Sequence, residues 1–108
     1  MAKIVRVVLD DASHHPQHKE FNELAKWLSE RLKVELKILE EDYIYVNEYG
    51  EKDEFGFGWL PQLFVEVDDG RVIPVLTKIP FNPSTLKPDL DEAKRQIEKI
   101  LKENNIMI

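Results

Sequence analysis

Three histidines are the side chains of this sequence best suited to chemistry, and they lie together in one short turn as His14, His15 and His18. Spacings of three and four residues let a single helical turn bring two imidazoles towards a common point. Asp10 and Asp11 come directly before the turn and could add oxygen ligands. Three interpretations stay open: solvated histidines of an ordinary turn, a divalent-metal site, or general acid-base catalysis by one imidazole.

The histidine turn joins a predicted strand to a predicted helix. Residues 3–9 are almost continuously apolar, which is typical of a strand buried on both faces in the middle of a sheet. Residues 18–33 have the spacing of an amphipathic helix, and Pro16 suits its first position. Because helix N-termini carry unpaired N–H groups and a partial positive charge, anions and reactive side chains gather at such junctions. The predicted buried stripe of the helix is Phe21, Leu24, Ala25, Leu28 and Leu32.

A second strand follows the helix. Residues 34–38 alternate between apolar and charged side chains, which predicts a half-buried strand. A strand, a helix and another strand at this spacing form a right-handed unit with two parallel strands. The acidic run at 40–42 is typical of a solvated segment that could bind calcium only loosely. The side chains expected to face the core are Val34, Leu36 and Ile38.

A hairpin and a helix complete the predicted elements. Apolar residues at 63–67 and 72–76 flank a glycine-containing turn at 68–70, which predicts a β-hairpin. Asp89 and Glu92 have the spacing of a capping box that begins a helix. The predicted buried stripe of this helix is Leu90, Ala93, Ile97, Ile100 and Leu101.

Aromatic residues are concentrated between positions 43 and 59, where we expect a long excursion, either a loop or a hairpin arm. Large apolar groups left in water usually mark a contact surface, and Tyr and Trp are favoured there. The segment could bind a partner or a second copy of the chain, or it could cover the open edge of the sheet. Residues 106–108 would suit the same dimer contact. The candidate interface residues are Tyr43, Tyr45, Tyr49, Phe55 and Phe57.

Composition sets the outer bounds. A chain of 108 residues with 43% hydrophobic and 33% charged residues predicts one soluble domain over residues 1–108. The apolar runs are too short to span a membrane, and residues 1–3 lead into a strand without the apolar core of a signal peptide. We therefore expect a cytoplasmic protein without a membrane partner.

Charge and cysteine content exclude several function classes. The formal net charge of −6 argues against nucleic acid as a partner. The chain has no cysteine, which excludes disulfides, thiolate chemistry and thiolate metal ligands. Many Lys, Glu and Ile residues together with the absence of Cys are also typical of thermophile proteins, which is a hypothesis about origin.

Two motifs resemble those of a thioredoxin-like domain, in the shortened version of the fold found in the small selenoprotein-W-type Rdx proteins. Residues 58–72, which include Gly58, Pro61 and Gly70, resemble the family's segment of glycine, apolar residue, cis-proline, strand, glycine turn and strand. Residues 15–18, with the sequence His-Pro-Gln-His, occupy the position where that family has Cys-x-x-Cys. Both cysteine positions therefore differ from the family at the residues that carry its redox chemistry.

The resemblance implies an α/β fold with a β-α-β-β-β-α core, a mixed four-stranded sheet in the order 2-1-3-4, and the aromatic excursion between strands 2 and 3. Pro61 would be the cis-proline, beside the turn at 15–18, and would leave adjacent backbone groups free to pair with an extended partner chain. The alternative is that Pro61 begins a strand in the trans form. The candidate binding groove consists of His15, Gln17, His18, Trp59, Leu60 and Pro61.

The function expected from these residues is protein binding or self-association by a thioredoxin-like domain without thiol redox activity. No phosphate loop, nucleophile elbow or zinc-protease motif is present, so the sequence gives no specific support for an enzyme. The alternative is a divalent-metal-binding protein that uses His14, His15 and His18. No other cofactor is expected.

Overall fold

A central strand, β1 (Ile4–Asp11), organises the sheet in this computed structural model, which describes residues 2–106. It pairs in parallel with β2 (Glu35–Glu40) and antiparallel with β3 (Gln62–Val67), and β4 (Val72–Leu76) pairs antiparallel with β3. The sheet order is β2-β1-β3-β4, so the predicted order and the predicted β3–β4 hairpin are confirmed. The central position predicted for β1 is confirmed as well.

The first face of the sheet is covered by α1 (His18–Leu32) and α3 (Leu90–Glu103). Both helices bury the predicted stripes against Val7 and Leu9 of β1 and their neighbours on β3 and β4. The cap of α3 is confirmed, because the Asp89 carboxylate accepts a hydrogen bond from the N–H of Glu92 at 3.0 Å. The fully buried helix residues of this face are Phe21, Leu24, Ala25, Leu28, Ala93, Ile97 and Leu101.

The second face is covered by a helix that the sequence did not predict, α2 (Tyr43–Tyr49). The expected loop or hairpin arm is wrong for these residues. The carboxylate of Asp42 caps the helix by accepting from the N–H of Tyr45 at 3.0 Å, and Val46 packs on Val8 and Phe64. The cap and this packing outweigh the strand preference of β-branched and aromatic residues, which is weak and depends on context.

Two apolar side chains predicted to be buried are exposed. Ile38 is 48% exposed, because β2 is an edge strand with a neighbour on one side only. Val5 is 53% exposed and lies where the pairing of β1 with β3 shifts register between Ile4 and Arg6.

The helical pattern predicted from residue 18 is confirmed, but the first helical position predicted for Pro16 is wrong. Pro16 lies in the turn before the helix, Gln17 is the N-cap residue, and His18 is the first helical residue. The difference is two positions, which is the usual error in placing a helix terminus from sequence. No helix within residues 2–106 is long and apolar enough to cross a bilayer. Residues 107 and 108, part of the predicted dimer contact, lie outside the described range.

Candidate functional site

A groove of about 530 Å³ lies between the histidine turn and the segment that leads into β3. Its walls combine aromatic and aliphatic side chains with a few polar groups, which is the usual composition of a binding site. Five of the six residues predicted for the groove line it, and His18 does not. The lining residues are His15, Gln17, Phe21, Trp59, Leu60, Pro61, Thr77, Lys78, Ile79, Pro80 and Phe81.

One wall of the groove is the segment 59–61, which Gln62 holds in place. The Leu60–Pro61 peptide bond is cis, as the resemblance implies. The buried side chain of Gln62 accepts from the N–H of Glu51 and donates to the carbonyl oxygens of Glu51 and Trp59, all at 3.0 Å. The Trp59 indole in turn donates to the carbonyl oxygen of Thr77 at 3.0 Å. These hydrogen bonds fix the indole as a wall of the groove.

The opposite wall is the turn that carries His15. Its N–H donates to the carbonyl oxygen of Ala12 at 2.9 Å, and its Nδ1 accepts from the N–H of Gln17 at 3.0 Å. Because Nδ1 is an acceptor, the proton of the neutral ring is assigned to Nε2. Gln17 makes no capping hydrogen bond with its side chain, so its amide is available to a ligand in the groove.

The groove carries positive charge on an acidic protein. Among the described residues that line it, Lys78 is the only Lys, Arg, Asp or Glu, whereas the whole chain has a formal net charge of −6. The Lys78 ammonium lies 5.2 Å from the centroid of the Trp59 ring, within the range of a cation–π interaction. At the rim, the Thr77 hydroxyl donates to the Glu51 carboxylate at 3.1 Å. An apolar ligand with an acidic group would find complementary chemistry here.

His18 faces away from the groove and holds the junction of β1 and α1. Its Nδ1 lies 2.6 Å from Oδ2 of Asp11, a side chain that is only 2% exposed. The same oxygen accepts from the amide of Asn22 at 2.9 Å, and Oδ1 accepts from the N–H of Ala12 at 2.8 Å. Asp11 therefore ties the end of the strand to the first turn of the helix.

The three histidines have three different partners. His14 is exposed and lies 3.5 Å from the carboxylate of Glu41, His15 contacts its own turn, and His18 contacts Asp11. Within residues 2–106, no group of three or more His, Asp or Glu side chains is placed to hold a metal ion. The divalent-metal alternative stays a prediction of the sequence, without support from the geometry.

Asp10 lies on the opposite face of the sheet from Asp11. Its Oδ1 accepts from the N–H of Asp42 at 3.0 Å, but its Oδ2 is buried without a hydrogen-bond partner among residues 2–106. Burial raises the pKa of Asp10 from 3.8 to about 6, and the nearby carboxylates of Asp42, Glu40 and Asp11 add to the increase. The sequence interpretation placed both aspartates beside the histidines, although strand alternation could have separated them.

The predicted aromatic interface divides into a packed part and an exposed part. Tyr45 packs edge-on against Phe64 with ring centroids 5.0 Å apart, and its hydroxyl donates to Glu66 at 3.0 Å. Burial and the Glu66 carboxylate raise the pKa of Tyr45. Phe55 and Phe57 are 76% and 66% exposed on the loop before β3. The other two, Tyr43 and Tyr49, are 51% and 37% exposed.

Comparisons of the chain with protein families, with curated proteins and with solved structures find no significant match. The function of the groove is therefore inferred from its walls, its charge and the backbone that lies along it.

Proposed function

We propose that this chain is a thioredoxin-like protein without thiol redox chemistry that uses the groove to bind an extended segment of a protein partner. The observation that carries the proposal is the groove itself, whose two walls are the turn at 15–17 and the segment 59–61. With no cysteine in the chain, the site could bind a partner without exchanging disulfides with it.

The backbone along the groove supports this mode of binding. Pairing of β3 with β1 begins at Gln62 opposite Asp10, and pairing with β4 begins at Leu63 opposite Leu76. The segment 59–61 therefore lies outside the ladder of the sheet. The Trp59 carbonyl oxygen already accepts from Gln62 and Pro61 has no N–H, so a partner would pair with the remaining backbone groups of this segment, such as the N–H of Leu60. Extended peptides commonly bind by adding such main-chain hydrogen bonds, while pockets beside the backbone select their side chains.

The side chains of the groove favour an apolar residue near an acidic one in the partner. Trp59 and the 58% exposed Phe81 offer aromatic surface, and aromatic side chains dominate the energetics of many interfaces. Lys78 offers the charge that would attract a carboxylate. Phe55 and Phe57 are exposed on the loop before β3, outside the groove. Self-association through this loop stays a prediction.

The two tryptophans of the chain provide a matched test. Each has a lysine ammonium over its ring, Lys78 at 5.2 Å from Trp59 and Lys94 at 5.3 Å from Trp27, but only Trp59 lines the groove. A phage-displayed library of random peptides is panned on the full chain, and the selected peptides are titrated into a Trp27→Phe variant. Because Trp59 is then the only tryptophan, we expect its fluorescence to change to saturation.

The control compares truncation of each tryptophan. We expect Trp59→Ala to weaken peptide binding at least about tenfold, which corresponds to the loss of an aromatic anchor, and Trp27→Ala to leave it unchanged. A library that yields no peptide for the full chain, or peptides that bind the Trp59→Ala variant equally well, would refute the proposal.

A further inference from the structure

The outer side of β2 is an unpaired sheet edge. Its inner side pairs with β1, and no other segment of residues 2–106 pairs with its outer side. The N–H of Glu41 donates to the carbonyl oxygen of Asp11 at 2.7 Å, which fixes the direction of the backbone groups along the strand. Because these directions alternate along a strand, the backbone N–H and C=O groups of Lys37 and Leu39 point towards β1. Those of Leu36 and Ile38 point outward.

The side chains of β2 are arranged differently on the two faces of the sheet. Val34 and Leu36 pack against the core under α1, and Ile38 continues this row but is 48% exposed. Glu35 and Lys37 lie on the other face, and Glu35 accepts from Arg6 at 2.7 Å while its side chain stays 65% exposed. The edge therefore combines an uncovered apolar side chain with one charge of each sign.

We propose that β2 pairs antiparallel with β2 of a second copy of this chain, with Leu36 opposite Leu36 on the twofold axis. In this register Glu35 of each copy lies opposite Lys37 of the other, and Ile38 lies opposite Val34. The apolar row becomes continuous across both copies on one face, and the two opposite charges pair on the other face. The four-stranded sheets of two copies join into one continuous sheet.

The hydrogen bonds of the edge agree with this register. The two Leu36 residues exchange both of their backbone hydrogen bonds, and Ile38 donates to the Val34 carbonyl oxygen of the second copy. The second bond of this pair, from the N–H of Val34 to the Ile38 carbonyl oxygen, does not form, because that N–H already donates to the carbonyl oxygen of Ser29 at 3.1 Å. The Ile38 carbonyl oxygen is then left to solvent.

The neighbouring registers are less favourable. A register centred on Lys37 would place two lysine ammonium groups opposite each other. A register centred on Ile38 would place Leu36 opposite Glu40. Charge complementarity therefore selects a second copy of this chain, in one register, as the occupant of the edge.

Sedimentation velocity of the full chain tests the pairing. We expect a dimer that dissociates on dilution. The Lys37→Glu substitution turns two attractive pairs into two repulsive ones and should raise the dissociation constant about tenfold or more. Lys99→Glu, the same charge change on the exposed side of α3, is the control and should leave the dimer unchanged. A chain that stays monomeric at all concentrations, or equal dissociation constants for the two variants, would overturn the proposal.

Cysteine scanning then reads the register directly, because the native chain contains no cysteine. Single substitutions Leu36→Cys, Lys37→Cys and Ile38→Cys are compared under oxidised glutathione. Only residues opposite themselves, with Cα atoms about 5.5 Å apart, meet the geometry of a disulfide, so we expect rapid covalent dimers from Leu36→Cys alone. Lys99→Cys, on the exposed side of α3, is the control. Faster cross-linking at 37 or 38, or a rate for Leu36→Cys no greater than for Lys99→Cys, would contradict the register centred on Leu36.

The pairing of β2 and the binding of peptides can be tested separately. Because β2 is separate from the groove, the Lys37→Glu variant should still bind the selected peptides.

Discussion

Asp10 and Asp11 are neighbours on β1, yet they are held in opposite ways on the two faces of the sheet. Asp11 lies on the α1 face, where Ala12, His18 and Asn22 all contact its carboxylate. Asp10 lies on the α2 face, where one carboxylate oxygen accepts a hydrogen bond and the other is buried without one among residues 2–106. Two neighbouring residues of one strand thus carry a fully hydrogen-bonded carboxylate and a carboxylate whose burial lowers the stability of the fold.

The two faces of the sheet also differ in how much apolar surface they bury. The first face buries a large apolar core under two helices, whereas the second has a small apolar cluster under the short helix α2. The rest of the second face is polar, with Arg6 bound to Glu66 at 2.9 Å and Tyr45 bound to the same carboxylate. The first face therefore buries most of the apolar surface, whereas charged side chains contribute to stability on both faces.

The largest expected effect comes from the apolar core of the first face. Leu24→Ala should lower the free energy of unfolding by about 3–4 kcal/mol, because the side chain is fully buried and the cavity cannot close completely. Val46→Ala on the second face should cost about 1–2 kcal/mol, since it removes less surface from a smaller cluster. Urea denaturation of both variants measures the difference. Equal losses would show that the two faces contribute alike.

The same substitution at the two aspartates should change the free energy of unfolding in opposite directions. Asp11→Asn should lower the free energy of unfolding by about 2 kcal/mol at neutral pH, because an amide cannot accept from His18 and Asn22 as a carboxylate does. The measurement is urea denaturation, with Asn22→Ala as a milder control that removes one donor. An Asp11→Asn variant as stable as the native chain would break the contrast between the faces.

Asp10→Asn should instead stabilise the protein at neutral pH by about 1–2 kcal/mol, because it removes a carboxylate that is ionised and buried there. The pKa of Asp10 is about 6 in the folded chain against 3.8 in the unfolded chain. The folded state thus binds more protons in between, and stability falls as pH rises from about 4 to about 6.

A pH series of urea denaturation curves checks this sign. The difference in the free energy of unfolding between Asp10→Asn and the native chain should be small near pH 4. It should grow as pH rises and reach its full value above the pKa of Asp10, which is about 6. A difference that does not change with pH would mean that the carboxylate is already ionised at no cost in the folded protein.

The smallest effect concerns the polar network of the second face. Tyr45→Phe keeps the ring on Phe64 but removes the hydrogen bond to Glu66, so the free energy of unfolding should fall by about 1 kcal/mol. An unchanged stability would show that Arg6 alone satisfies Glu66.

Local patterns predicted most of the fold, because the core elements are periodic and end at recognisable residues. The alternation of 34–38, the glycine turn at 68–70 and the Asp89 cap each depend on near neighbours in the sequence. The helix α2 could not be predicted in this way. Its residues resemble a strand, and it forms because Asp42 caps it and Val46 finds Val8 and Phe64 across the sheet.

The site was predicted in part for a related reason. The position of residues 15–17 and 59–61 on opposite walls follows from the resemblance, which covers both segments. His18 was assigned to the groove although the rotation of α1 directs it to Asp11, and that rotation depends on the packing of the whole helix. Lys78 was missed because it follows β4 in a segment without a motif, and only the folded chain brings it over Trp59.

Hydrogen exchange at the backbone amide of Leu60 tests the proposed binding mode most directly. This amide lies in the segment outside the sheet ladder, where an extended partner would add its hydrogen bonds. With a peptide selected by panning, added at a concentration that just saturates the native chain, we expect exchange at Leu60 to slow markedly in the native chain and much less in the Trp59→Ala variant. If the peptide binds while exchange at Leu60 is unchanged and slows elsewhere, the groove is not the binding site.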